Sequence, residues 1–185
     1  MGAMELLDVI LIAAGAFVVL GLAAGIWFVT AMTGMRRLSA TVDERWDALA
    51  ATLERRRTVA APLLATAPGP QQQQAAQAFA SLDAASQPQS KAEAEAEVQR
   101  VLRPLVQAAG SQPLGSDAAE ARTALAALDD EAQARRRDYN TGARELNAKG
   151  RRYPSSMWAS TFGVPREFFE VDQAGAVAEP PRIQF

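Results

Sequence analysis

The sequence predicts an all-α protein: an N-terminal transmembrane helix that continues into an antiparallel four-helix bundle, with a C-terminal aromatic segment packed on it. Three observations support that class. Residues 9–35 carry no charged side chain between Asp8 and Arg36. Four later stretches repeat their apolar residues every three or four positions, the spacing of one helix face. Clusters of Pro, Gly and Ser separate those stretches and read as turns.

The uncharged run is the first element. As a helix it reaches about 40 Å at about 1.5 Å per residue, against a hydrocarbon core about 30 Å thick. It can therefore span a bilayer with a tilt, whereas few domains of this size could sheathe so long an uncharged rod. Gly21 and Gly25 form a Gly-x-x-x-Gly pattern, a candidate helix–helix contact in the membrane, although glycine is common in such helices anyway. Trp27 and Phe28 stand toward the basic end, where aromatic belts form.

The flanks set orientation. Glu5 and Asp8 precede the run, while Arg36, Arg37, Arg45 and Arg55 to Arg57 follow it. Positive charge resists translocation, so residues 1–8 are expected outside as a short extracytoplasmic tail and the rest in the cytoplasm. That gives a single-pass protein of the cell (inner) membrane. A cleavable signal needs a basic start and a shorter apolar run, so the segment is expected to be retained.

Composition narrows the chemistry. With residues 1–35 in the span and its tail, residues 36–185 suffice for one compact domain. The chain holds 19 Lys plus Arg against 21 Asp plus Glu, too even a balance for nonspecific nucleic-acid binding, so no nucleic-acid partner is expected. It has no cysteine and no histidine. That excludes disulfides, thiolate metal sites, Cys nucleophiles and Ser-His-Asp triads, and no cofactor or metal is expected.

The bundle is read over residues 36–150. Leu38, Val42, Trp46, Leu49 and Leu53 continue the first helix as an amphipathic one to about Thr66, with Pro62 expected to kink it or end it early. Pro68, Gly69 and Pro70 read as a turn. The second helix, from about Gln71 to Ser86, buries Ala75, Ala78, Phe79 and Leu82. A break across residues 86–90 precedes the third helix, from about Lys91 to Ala109, with a stripe of Val98, Val101, Leu102, Leu105 and Val106 that Pro104 must bend. After the loop at 110–116, Ser116 or Asp117 caps a fourth helix that runs to about Lys149. Its stripe is Ala118, Ala121, Leu125, Leu128, Ala132, Tyr139 and Leu146, and Gly150 is expected as its C-cap. Arg135 to Arg137 after Asp129 to Glu131, and Arg55 to Arg57 after Glu54, read as solvated faces paired within one helix.

Residues 151–185 differ again, with Arg151, Arg152, Tyr153 and Pro154, then Trp158, Phe162, Phe168 and Phe169, then a Pro-rich tail. Counting helix directions returns Gly150 to the membrane, and the short second and third helices leave half of the long pair uncovered. Two readings of the aromatics stay open. They complete that core, or Trp158 and Phe162 join Arg36, Arg37, Arg151 and Arg152 as a candidate membrane interface.

These residues together resemble the LemA family of bacterial membrane proteins. The likeness rests on the apolar run leading to Val42, Asp43, Glu44 and Trp46, and on Arg55 and Arg56 with a proline nearby. It continues at Tyr139 and Asn140, Asn147, Tyr153 to Ser156, Phe162 and Gly163, Phe168 and Phe169, and the Pro-rich end with its terminal Phe185. Leu146 stands where the family has a second tyrosine before asparagine, and Tyr153 where it has phenylalanine before proline. Residues 67–112 match poorly. The resemblance implies a cytoplasmic antiparallel helical bundle with no established catalytic residues, and work alongside membrane proteases or specialised membrane compartments.

The leading functional expectation is a membrane-tethered interaction or scaffold protein, in contact with membrane lipid, a protein partner not identified, and a second copy by self-association. The alternative is a membrane-organising or membrane-shaping protein, or an adaptor of a membrane protease. An enzyme is not expected. Its carboxylates, Glu93, Glu95 and Glu97, lie two residues apart and so do not converge on one helix face. Tyr139 sits in the apolar stripe, as a core tyrosine with its hydroxyl bonded.

Overall fold

The computed structural model describes residues 2–111 and 116–170, leaving out the side chains of residues 3–7. Among the described residues are four α-helices and no strand: α1 (Ala3–Ala65), α2 (Gly69–Ala84), α3 (Pro88–Ala109) and α4 (Asp117–Gly150). Two short 3-10 turns follow, Ser155–Met157 and Ala159–Phe162. The expected Pro-rich tail and most of the loop before α4 lie outside the described residues.

The absence of a breaker between the apolar run and Leu38 gives one unbroken α1, whose helical residues begin within the expected N-terminal tail. Its N-terminal part is the one described helix long and apolar enough to cross a membrane, and among the described residues none buries its most apolar stretch. Ile12 is 72% exposed and Phe17 79%.

Pro62 and Pro104 lie inside α1 and α3 without ending either helix, so of the two outcomes expected for Pro62 the early end does not occur. Each removes one amide from the ladder. The carbonyls freed by that loss belong to Thr58 and Arg100, both exposed residues that water can serve. Prolines also open helices here. Pro88 and Pro70 occupy first-turn positions, where an amide would be unpaired in any case. The expected breaks therefore shrink to the short connections before Gly69 and Pro88. At α4 the Ser116 hydroxyl accepts from the Ala119 amide at 3.3 Å, as an N-cap does.

The chain divides into two units, which α1 and α4 both enter. The first takes the described residues up to Val42 with Arg144–Arg166; the second takes Asp43–Ala143 and the described residues from Glu167. In the second, Leu49, Leu53, Phe79, Leu82, Val98, Leu102, Leu125 and Leu128 are all buried, and α2 packs on α3. The four stripe residues of α2 are its buried ones. In α3, Val98, Leu102 and Leu105 are buried, while Val101 and Val106 are half-buried.

The first unit packs Met35, fully buried, beside Gly150. Gly150 ends α4 without a left-handed conformation, so it is not the expected C-cap; the positive-φ glycine among the described residues is Gly163, at 65°. What Gly150 supplies is space. A Cβ there would stand 2.7 Å from Val164 Cγ1 and 3.2 Å from Met35 Cε. Gly150→Ala is expected to lower stability by about 1–3 kcal/mol through overpacking, read as a lower thermal midpoint in detergent. An unchanged midpoint would mean the close approach is slack.

Candidate functional site

The second unit buries an ionic group that joins three helices. Arg56 of α1 is 3% exposed, and its Nη2 lies 3.0 Å from Glu95 Oε1 of α3 and also contacts Asp129 Oδ1 of α4. Gln99 Nε2 donates to the same Glu95 oxygen at 3.0 Å. Arg56 Nε and Glu95 Oε2 have no hydrogen-bond partner. Burial pushes the Glu95 carboxyl above the ordinary carboxylate range; the Arg56 charge and the Gln99 amide oppose that push, and Asp129 adds to it.

The expected solvated Arg55–Arg57 face is thereby corrected, because one arginine of the run turns inward. Arg55 reaches Glu131 at 3.4 Å and Arg57 reaches Asp83 at 2.9 Å, so all three pair with other helices. Glu131 does keep its expected neighbour Arg135, at 3.6 Å. A cavity of about 230 Å³ opens beside the group, lined by Arg56, Gln99, Arg103 and Asp129 with Leu102 and Leu125. Of the three α3 acids, Glu95 is buried and Glu93 exposed, while Glu97 pairs with Arg100. No cluster of metal-ligating side chains occurs among the described residues.

A second arrangement recurs on α4. In the first unit, Asn147 Nδ2 donates to the Arg166 carbonyl at 2.9 Å, and the Arg166 amide donates to Asn147 Oδ1 at 2.7 Å. In the second unit, Asn140 does the same with Phe169, at 3.2 and 2.9 Å. The Tyr139 hydroxyl donates to the Glu167 carbonyl at 2.8 Å, so the core-tyrosine reading holds. The Trp46 ring lies against Tyr139 and Phe169, with centroids 5.3 and 6.3 Å away. Neither asparagine's backbone pairing is expected from the sequence, where both stand among the residues that resemble the family.

The sequence-selected interface residues lie in the first unit. Arg36, Arg37, Arg151 and Arg152 are exposed. Trp158 is buried, its ring edge-on to Phe28 at 4.9 Å, and its indole nitrogen has no partner. Phe162 is half-buried, and its carbonyl accepts from the Ser39 hydroxyl at 3.3 Å. Gly21 and Gly25 come near nothing: a Cβ at either would meet no atom within 4 Å beyond the helix itself.

The LemA family model matches residues 45–185, most of the chain, beginning after the apolar run. No curated protein matches the sequence.

Two outcomes follow from these geometries. Asn140→Ala leaves the buried Phe169 peptide without its partners and should cost about 1–3 kcal/mol, with faster amide exchange at Phe169. Asn140→Asp should keep that amide slow, since an acceptor remains. Equal exchange in all three proteins would reject the pairing. For Glu95, a raised pKa means that the folded chain holds the proton longer than the unfolded one. Its stability contribution is therefore largest below the ordinary carboxylate pKa and is lost as pH rises through the raised value. Urea melts across that range should show this slope, and Glu95→Gln should remove it.

Proposed function

The chain belongs to the LemA family, and from that premise we propose a membrane-anchored interaction or scaffold protein that performs no chemistry of its own. The observation behind the reading is α1, whose apolar N-terminal part is uncovered by protein although the rest of the chain has a packed core. Burying one such side chain in an apolar medium gains about 1.5–3 kcal/mol, so a run of them favours lipid strongly.

The body is read as an antiparallel bundle. In the second unit, contacts step down α4 as they step up α1: Arg45 Nη1 donates to the Asp138 carbonyl, Thr52 meets Glu131, and Arg56 meets Asp129. The C-terminal aromatics are read as completing the core, supported by the buried Phe169 on Trp46. A rigid helical body on a tether suits docking of a protein partner or a second copy, with Gly21 and Gly25 open to another helix. The enzyme reading loses ground because a chain without His or Cys lacks the commonest general acid–base group and the thiol nucleophile. Membrane shaping is the second reading, favoured by the exposed Arg36, Arg37, Arg151 and Arg152.

Because the chain has no native cysteine, topology can be tested directly. A thiol reagent added outside intact cells should label Gly2→Cys and not Ser116→Cys, and both proteins should stay in the membrane at alkaline pH. The reverse labelling would overturn the orientation, and release at alkaline pH would overturn the anchor. Capture from solubilised membranes should retain a reproducible protein partner or a second copy; neither appearing would overturn the scaffold reading.

A further inference from the structure

In the first unit the apolar surface of α1 gains a second layer near its basic end. Trp27 meets Tyr153 with ring centroids 6.2 Å apart. Phe28 meets the buried Trp158. In the segment leading to Trp158, Tyr153 and Met157 are 76% and 69% exposed. Tyr153 extends an apolar surface to which Trp27, 53% exposed, already belongs, and Met157 follows it four residues on.

Charge names the occupant of that surface. Arg151 and Arg152 immediately precede Tyr153, and Arg36 and Arg37 follow the apolar run; all four are exposed. From residue 9 onward the unit contains one acid, Glu145. An outward aromatic packed on the apolar helix, an outward thioether four residues later and exposed arginines immediately before them in sequence match an anionic lipid surface.

Depth agrees. With Arg36 at the phosphates, Trp27 lies about 13 Å further along the helix, past a headgroup layer about 5–7 Å thick. That puts Trp27 about 6–8 Å inside the hydrocarbon, and the Tyr153 ring, with its centroid 6.2 Å from that of Trp27, within reach of the hydrocarbon edge, where tyrosine is favoured. We propose that residues 151–157 form a second lipid contact, in which Tyr153 and Met157 seat in the interfacial layer and the arginines engage anionic headgroups. This moves the insertion from Trp158 and Phe162, which face protein, to their outward neighbours. It rests on the membrane-anchored reading above.

The test uses the full chain in vesicles of phosphatidylcholine and phosphatidylglycerol, with a small fluorophore on one introduced cysteine. Tyr153→Cys and Met157→Cys report the proposal, Phe17→Cys reports the anchor, and Ala124→Cys on exposed α4 reports water. Nitroxide carried near the headgroup of the lipid should extinguish emission at 153 and 157. Water-soluble nitroxide should leave those two sites largely bright while extinguishing 124. If 153 and 157 behave like 124 while 17 is quenched from within the lipid, the second contact is wrong and the anchor stands. If 17 also behaves like 124, both fall. Sites 153 and 157 shielded from both quenchers would mean that protein covers them, which also overturns the proposal.

Discussion

An asparagine side chain offers one donor and one acceptor, the same pair that a peptide group offers. Asn147 and Asn140 of α4 use both on single residues, Arg166 and Phe169. A non-helical segment against a helix has no ladder of its own, and its buried peptide groups need partners. Here side chains stand in for the missing strand. The device recurs seven residues apart, about two helical turns, which returns it to nearly the same face of α4. Tyr139, adjacent to Asn140, bonds a third carbonyl of the segment, that of Glu167. Held this way, Phe169 can lie buried against Trp46 without leaving its own amide unpaired.

The Arg56 group is a different kind of constraint. Two carboxylates share one guanidinium nitrogen, while Arg56 Nε and one Glu95 oxygen have no partner. Pairing offsets only part of the cost of removing these charges from water, so the group is a weak source of net stability. Its geometric effect is larger. Arg56, Glu95 and Asp129 sit on α1, α3 and α4; Arg56 and Glu95 are buried while Asp129 is half exposed, and sliding α1 past α3 by a turn would separate two charges that are shut off from water. Apolar stripes alone tolerate such slippage, because leucine against leucine has little positional preference. The buried Arg56–Glu95 pair does not.

Apolar periodicity made the helix faces legible before the structure. Ala75, Ala78, Phe79 and Leu82 in α2, and Leu125, Leu128, Tyr139 and Leu146 in α4, are buried where their spacing places them. The same rule failed where a polar residue occupies the inner face. Arg56 follows Glu54 and stands between two other arginines, a pattern that in sequence describes a solvated surface; nothing local shows that Glu95 and Asp129 await it. Glycine and proline misled for a related reason. Each has two uses, and the sequence alone does not separate them: Gly150 reads as a cap but serves a close approach to Val164, and Pro88 reads as a breaker but opens α3. Two buried asparagines at heptad spacing were the signal available for the missed contacts, since a buried amide implies a partner.

A net charge of −2 conceals an uneven distribution. From residue 9 on, the first unit carries seven Lys or Arg and one acid, with Glu5 and Asp8 ahead of that stretch, and the second unit carries twelve basic and eighteen acidic residues. An anionic leaflet attracts basic residues near its surface by about 1 kcal/mol each and repels acidic ones over the same short range. Electrostatic attraction to lipid is therefore available to the first unit and denied to the acidic remainder. Apolar exposure divides the same way, since Val9, Ile12, Phe17 and Ile26 lie bare in the first unit while Leu49, Leu53 and Leu82 are enclosed in the second. Charge and hydropathy are independent properties of a sequence, and both divide between the two units in the way that the proposed membrane-anchored reading requires.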